Sequence, residues 1–121
     1  HSSGLNIVAF LNAFKYIGSM KESISVNEEA YAELCEALAI AADPELIGEF
    51  LVCLLTPKEL AEVSSRWALV REISKGTTQR EVARTMGLSL CKITRGAREL
   101  KKENSPFKRM IDVYLAAKPE V

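Results

Sequence analysis

The run from Thr78 to Lys101, TQREVARTMGLSLCKITRGARELK, constrains this chain more than any other stretch. Thr78 followed three residues later by Glu81 is a capping-box start, in which each side chain bonds a free backbone N–H of the other's residue. Val82, Ala83 and Met86 recur at helical spacing and make one face apolar. Ala83 is small where a second helix must pass close by. Gly87 follows at the point where the chain needs a left-handed residue, which glycine adopts without steric cost. Leu88 is then the apolar residue of the turn, and Ser89 caps a second helix. That helix turns Ile93 and Leu100 inward and leaves Leu90, Cys91, Thr94, Arg95 and Arg98 facing elsewhere. The spacing predicts a helix-turn-helix over about residues 78–101 and makes double-stranded DNA the leading partner. The competing reading is an ordinary helical hairpin within a bundle.

Charge separates the same way. The chain is neutral overall, with 16 basic and 16 acidic residues. Residues 1–65 carry Lys15, Lys21 and Lys58 against ten acids, a net of −7. Residues 66–110 carry twelve Lys and Arg against Glu72, Glu81, Glu99 and Glu103, a net of +8. The basic half is therefore the half with the helix-turn-helix, as a phosphate-facing surface requires.

Enzyme chemistry has little to stand on. The single histidine is His1, and no paired-carboxylate motif or metal-ligand spacing is present, so neither hydrolysis nor a metal site is expected. Cys35, Cys53 and Cys91 are an odd set. Cys35 and Cys53 lie in apolar runs and are expected to be small buried hydrophobes, which fits a reducing cytosol. No apolar run reaches membrane-spanning length.

The 121 residues make one domain of modest size, preceded by a start that looks added. His1-Ser2-Ser3-Gly4 resembles the end of a polyhistidine tag, and Gly18-Ser19 before Met20 resembles a cloning junction. Residues 1–19 are thus expected to be a tag or an extension helix over 5–17, with the domain proper at 20–121. From there helix follows helix. Asn27 caps a helix bearing Tyr31, Leu34, Cys35, Leu38 and Ile40. Asp43-Pro44-Glu45 opens one bearing Leu46, Ile47, Phe50, Leu51 and Leu54. Thr56-Pro57-Lys58-Glu59 is a full capping box for a helix to about Ser74, with Leu60, Val63, Trp67 and Val70 on one stripe and Gly76 as its stop. Ser105-Pro106 starts a last helix with Phe107, Met110, Ile111, Tyr114 and Leu115. No strand pattern or repeat interrupts them, so the fold class is all-α. So much apolar surface on so short a chain predicts association, most simply a two-fold dimer with reading helices roughly 34–36 Å apart, one turn of DNA.

These residues resemble the Trp repressor family over roughly Ala30 to Ala116. The most specific pieces are Leu55-Thr56-Pro57 with Glu59, Gln79-Arg80-Glu81, and Ile93-Thr94-Arg95-Gly96 with Leu100-Lys101. The resemblance implies an intertwined all-helical homodimer that takes L-tryptophan as corepressor, without a metal, and docks on operator DNA in a bacterial cytoplasm to regulate tryptophan biosynthesis or uptake genes. It implies that Arg66 and Arg95 sandwich the indole ring and that Arg95 meets the carboxylate. A guanidinium does both, stacking on aromatic faces and pairing carboxylates. Leu55 and Thr56 match the pocket edge lent by the other subunit, Gly96 the glycine beneath the ring, and Val70 an apolar wall. At the DNA, Leu90, Cys91 and Thr94 match reading positions, and Gln79, Arg80 and Lys101 match backbone-contacting ones. Arg98 adds a cation to the same helix.

This chain departs from the family pattern at four places. The connection from Gly76 to Gln79 is one residue shorter. Glu99 stands where a serine is usual near the ligand's amino group, either to pair that ammonium or to neutralise Arg95. Lys92 replaces a threonine beside ligand and phosphate, and Cys53 replaces a leucine at the pocket rim. The alternatives are a regulator of the same fold with a different effector or none, and a helical protein-interaction module docking through its apolar stripes. In the plainest alternative for the ligand site, Arg66 and Arg95 are surface arginines held by Glu59 and Glu99.

Overall fold

The structure, a computed structural model, describes residues 26–118. The expected tag or extension helix, the start at Met20 and His1 lie outside the described residues. Among the described residues the chain is all-α: α1 (Glu28–Ala41), α2 (Pro44–Leu54), α3 (Pro57–Ser74), α4 (Gln79–Met86), α5 (Leu90–Lys101) and α6 (Pro106–Ala117).

The caps are those written in the sequence. Asn27 Oδ1 accepts the Ala30 N–H at 3.0 Å, and Asp43 Oδ1 accepts that of Glu45 at 3.1 Å. Thr56 and Glu59 form the full box: Glu59 N–H donates to Thr56 Oγ1 at 3.1 Å, and Thr56 N–H donates to Glu59 Oε1 at 2.8 Å. Ser105 accepts the Lys108 N–H at 3.1 Å ahead of α6. Each bond satisfies a backbone donor that a helix start leaves without an intrahelical partner.

The chain divides between Leu54 and Leu55 into two compact units. In the first, α1 packs on α2. Neither helix has a buried residue, and Ile40 (75 % exposed), Val52 (63 %) and Leu46 (53 %) stand out to solvent. The expectation that Cys35 and Cys53 are both buried is corrected here: Cys35 is half-buried and Cys53 exposed. Two helices alone form a single layer, and a residue on their outer face has nothing to bury it.

The second unit has a true core. Val70 of α3, Val82 of α4, Ile93 of α5 and Ile111 of α6 are all fully buried, one from each helix, and Leu69 joins them. Burial of each such side chain is worth about 1.5–3 kcal/mol. α5 is the hub, packing on α3, α4 and α6, and Ala83, Met86, Leu88 and Leu100 close around the cluster as the sequence places them.

Two stripes differ from expectation. On α3 the buried pair is Leu69 and Val70, while Leu60 is half-buried and Val63 is 48 % exposed. The second half of that helix meets α4 and α5 and uses the Leu69–Val70 side. Trp67 packs against the core cluster and also meets α6, where it stacks on Phe107 at 5.7 Å between ring centroids and meets Tyr114 edge-on at 6.3 Å. On α6 only Ile111 is buried, and Met110, Tyr114 and Leu115 remain exposed.

Candidate nucleic-acid interface and the adjoining ligand site

The α4–turn–α5 segment begins with Thr78, whose hydroxyl accepts the Glu81 N–H at 3.1 Å. The reciprocal half of the expected capping box is not made. The Glu81 carboxylate pairs with Arg84 one turn on, and a charged donor outcompetes a backbone amide for it. Gly87 closes α4 in the left-handed region (φ 65°) and donates its N–H to the Ala83 carbonyl at 2.9 Å. Ser89 then accepts the Lys92 N–H at 3.3 Å and starts α5.

α5 is strictly two-sided. Ile93, Gly96 and Ala97 are buried against the core. Leu90 is 65 % exposed, and Cys91, Lys92, Thr94, Arg95, Arg98 and Lys101 are exposed with it. On α4, Gln79 is half-buried and Arg80 exposed at the first turn. Expected reading and backbone-contacting residues thus all lie on the two helices of the motif, with no apolar neighbour shielding those on α5.

Four cations of this unit are held by acids of their own helix or its end. Arg84 is paired with Glu81, Lys75 with Glu72 at 3.2 Å, Lys102 with Glu99 at 3.1 Å, and Lys108 with Asp112 at 3.0 Å. Arg66, Arg80, Lys92, Arg95, Arg98 and Lys101 form no ion pair among the described residues. Every cation expected at the DNA or the ligand therefore falls outside the paired set. A cation without an acidic partner keeps its full field for an incoming phosphate or carboxylate.

Of the expected ligand residues, Gly96 and Val70 meet where α3 packs on α5. Gly96 sits on the inner side of that crossing: a Cβ placed on it would stand 2.5 Å from Leu69 Cδ1 and 3.1 Å from Val70 Cγ2. The glycine is therefore what lets the two helices approach. Val70 is fully buried in the core at this point. Arg66 lies one turn before Leu69 and Val70 on α3, and Arg95 immediately precedes Gly96 on α5, so both guanidinium stems start at the borders of one contact. Glu99, one turn beyond Gly96, is bound to Lys102 rather than to Arg95. Glu59 is occupied by the α3 cap. The alternative in which Glu59 and Glu99 hold the two arginines is thus not the arrangement found. Leu55 is half-buried and Thr56 exposed at the start of α3, where the Thr56 carbonyl accepts the Leu60 N–H at 2.9 Å.

Two participants are absent from the sequence reasoning. Leu69 fills the space beneath Gly96, and its signal is the alternative i, i+3, i+7 stripe through Arg66, Leu69 and Ile73. The other is the Glu72–Thr77 pair across the end of α3, five residues apart, a spacing outside the usual helical pairs. Among the described residues there is no group of three or more His, Cys, Asp or Glu able to hold a metal ion, and no helix long and apolar enough to cross a membrane.

The family model described as Trp repressor protein matches residues 29–114. A Trp operon repressor homolog from Chlamydia caviae is 31 % identical over 86 residues, covering 70 % of this chain and 85 % of its own. Homologs of the same description from Xylella fastidiosa (33 % over 78 residues, covering 64 % of this chain and 85 % of theirs) and Chlamydia trachomatis (29 % over 93, covering 76 % and 96 %) are similar to it as well. No solved structure matches significantly.

Proposed function

This chain belongs to the Trp repressor family, and on that premise we propose that it is a DNA-binding transcriptional repressor whose hold on its operator is set by L-tryptophan. The observation that carries the reading is that the cations on the outer face of the helix-turn-helix, Arg80, Lys92, Arg95, Arg98 and Lys101, are all without an ion pair. Thr94, Leu90 and Cys91 read base edges from the first turns of α5. Gln79, Arg80, Lys92, Arg98 and Lys101 hold phosphates around them. Two such units act as a homodimer, which also covers the apolar residues left open on α1 and α2.

L-tryptophan binds beside the α3–α5 crossing. Arg66 and Arg95 stack on the indole and Arg95 pairs its carboxylate, neither guanidinium being engaged in an ion pair. Gly96 and Val70, both buried at that crossing, back the site rather than line it, and Leu55 and Thr56 of a second copy close the edge near the amino group. Glu99 sits at the rim and acts on the ligand only by leaving Lys102. No catalytic step belongs to this reading, which asks only for binding and an altered fit to DNA. The regulated genes are those of tryptophan biosynthesis or uptake.

Titration of an operator duplex with and without L-tryptophan tests the proposal. The expected result is tighter binding with tryptophan, and a loss of about 1.5–3 kcal/mol in tryptophan affinity for Arg95→Ala, the scale of a charged hydrogen bond. Equal duplex affinity with and without tryptophan leaves the DNA-binding regulator and removes the corepressor. No affinity for any duplex removes both.

A further inference from the structure

Glu72 stands two residues before the end of α3, at the negative end of the helix dipole, where an acid is disfavoured. Its surroundings supply the reason for it. The Thr77 N–H donates to the Glu72 carbonyl at 3.2 Å and the Gly76 N–H to the Ile73 carbonyl at 2.9 Å, with Gly76 in the left-handed region (φ 104°). This is the paired closure of a Schellman turn, whose two flanking residues commonly make an apolar contact. Here that contact is polar. Thr77 Oγ1 donates to Glu72 Oε1 at 3.1 Å, and Lys75 Nζ donates to Oε2 at 3.2 Å. The hydrogen bond from Lys75, then that from Thr77, hold the Glu72 carboxyl below the ordinary carboxylate range.

Only Gly76, Thr77 and Thr78 separate the capping residue of α3 from α4, and Thr78 is already the cap of α4. A residue that fixes Thr77 thereby fixes the direction in which α4 leaves. We infer that Glu72 is a positioning residue for the DNA-facing start of α4: by clamping Thr77 through both main chain and side chain, it sets where Gln79 and Arg80 meet a phosphate. The inference rests on the DNA-binding reading above. Within it, Glu72 touches no DNA and acts only through the turn.

The test combines amide hydrogen exchange on the free protein with duplex titration. In Glu72→Ala and Thr77→Val, the amide of Thr77, bonded to the Glu72 carbonyl, exchanges faster than in wild type while that of Ile93 is unchanged. Duplex affinity falls about fivefold to tenfold in both, the scale of one or two net hydrogen bonds. Glu72→Gln keeps an acceptor for Thr77 and gives up an exposed ion pair, so it stays within about twofold of wild type. In a background already lacking Gln79 and Arg80 (both →Ala), Glu72→Ala costs nothing further, because its only route to the DNA is gone. The inference is overturned if Thr77 exchange is unchanged in Glu72→Ala, if Glu72→Ala binds as wild type does, or if its cost persists in the doubly substituted background. A wild type that binds no duplex overturns the functional reading instead, and the exchange arm then decides the clamp alone.

Discussion

The first and second units of this chain have similar raw material and reach different ends. α1 and α2 carry Leu34, Leu38, Leu46, Phe50 and Leu51, yet bury nothing completely; α3 to α6 bury one aliphatic side chain from each helix without any remaining exposure. The difference lies in layers rather than in hydrophobicity. Four helices around the α5 hub cover one another, whereas two helices leave an open face. The charge follows the same division, acidic in the first half and basic in the second. The second unit thus encloses its own core and carries the cationic face proposed above to meet DNA, while the first leaves apolar residues exposed.

The largest expected effect breaks the core. Ile93→Ala deletes buried methylenes that have no room to be replaced, and it costs about 2–5 kcal/mol in chemical denaturation. The loss is the same at every protein concentration, since the core belongs to one chain. A concentration-dependent loss would erase the contrast between the units.

Gly96→Ala comes next, at about 1–3 kcal/mol, because its Cβ would meet Leu69 at 2.5 Å within a packed crossing. Thermal unfolding without any ligand reads it. A variant as stable as wild type, impaired only in tryptophan binding, would make the glycine a ligand feature alone.

Val52→Ser sharpens the comparison from the other side. Val52 is 63 % exposed on α2, so its removal weakens association by roughly 1.5 kcal/mol, the value of one buried aliphatic side chain, and leaves exchange protection at Val82 and Ile93 intact. Sedimentation equilibrium measures the shift, and unchanged association would place the dimer contact elsewhere.

The smallest effect is a pH dependence at the α3–α4 turn. Because hydrogen bonds from Lys75 and Thr77 lower the native Glu72 carboxyl, its contribution is fully present above the ordinary glutamate value of 4.5. It is lost as pH falls below that value through the depressed native one. Amide exchange at Thr77, corrected for the intrinsic rate, should be flat from neutral pH down to that range and then rise, with no such rise in Glu72→Gln.

Most of the local structure is legible in the sequence. Asn27, Thr56, Thr78, Ser89 and Ser105 are all caps, and Gly87 is the left-handed turn residue, because capping and backbone sterics are settled within a few residues of chain. What is not legible depends on neighbours distant in sequence. Helical phase puts Trp67 on the core stripe, where it does pack, but does not show its aromatic contact with α6, and Leu69 takes the place expected for Val63. Cys53 sits in an apolar run and is exposed, since a run alone does not say whether a second layer exists. At the site, exposure of Thr94, Leu90 and Lys101 follows from helical phase alone. The occupation of Glu99 by Lys102 does not, because Arg95 and a ligand ammonium are equally plausible partners for that carboxylate on spacing.

The proposed DNA interface rests on those α4 and α5 cations that have no acidic partner, Arg80, Lys92, Arg95, Arg98 and Lys101. Duplex affinity measured against salt for two double variants tests it most directly: Arg80→Ala with Lys101→Ala, from the unpaired set, and Arg84→Ala with Lys108→Ala, from the paired set. The first pair is expected to flatten the slope of log affinity against log salt by roughly 0.9 for each phosphate no longer neutralised, while the second leaves the slope at its wild-type value. Equal slopes for the two variants, or a flattening confined to Arg84 and Lys108, would contradict it.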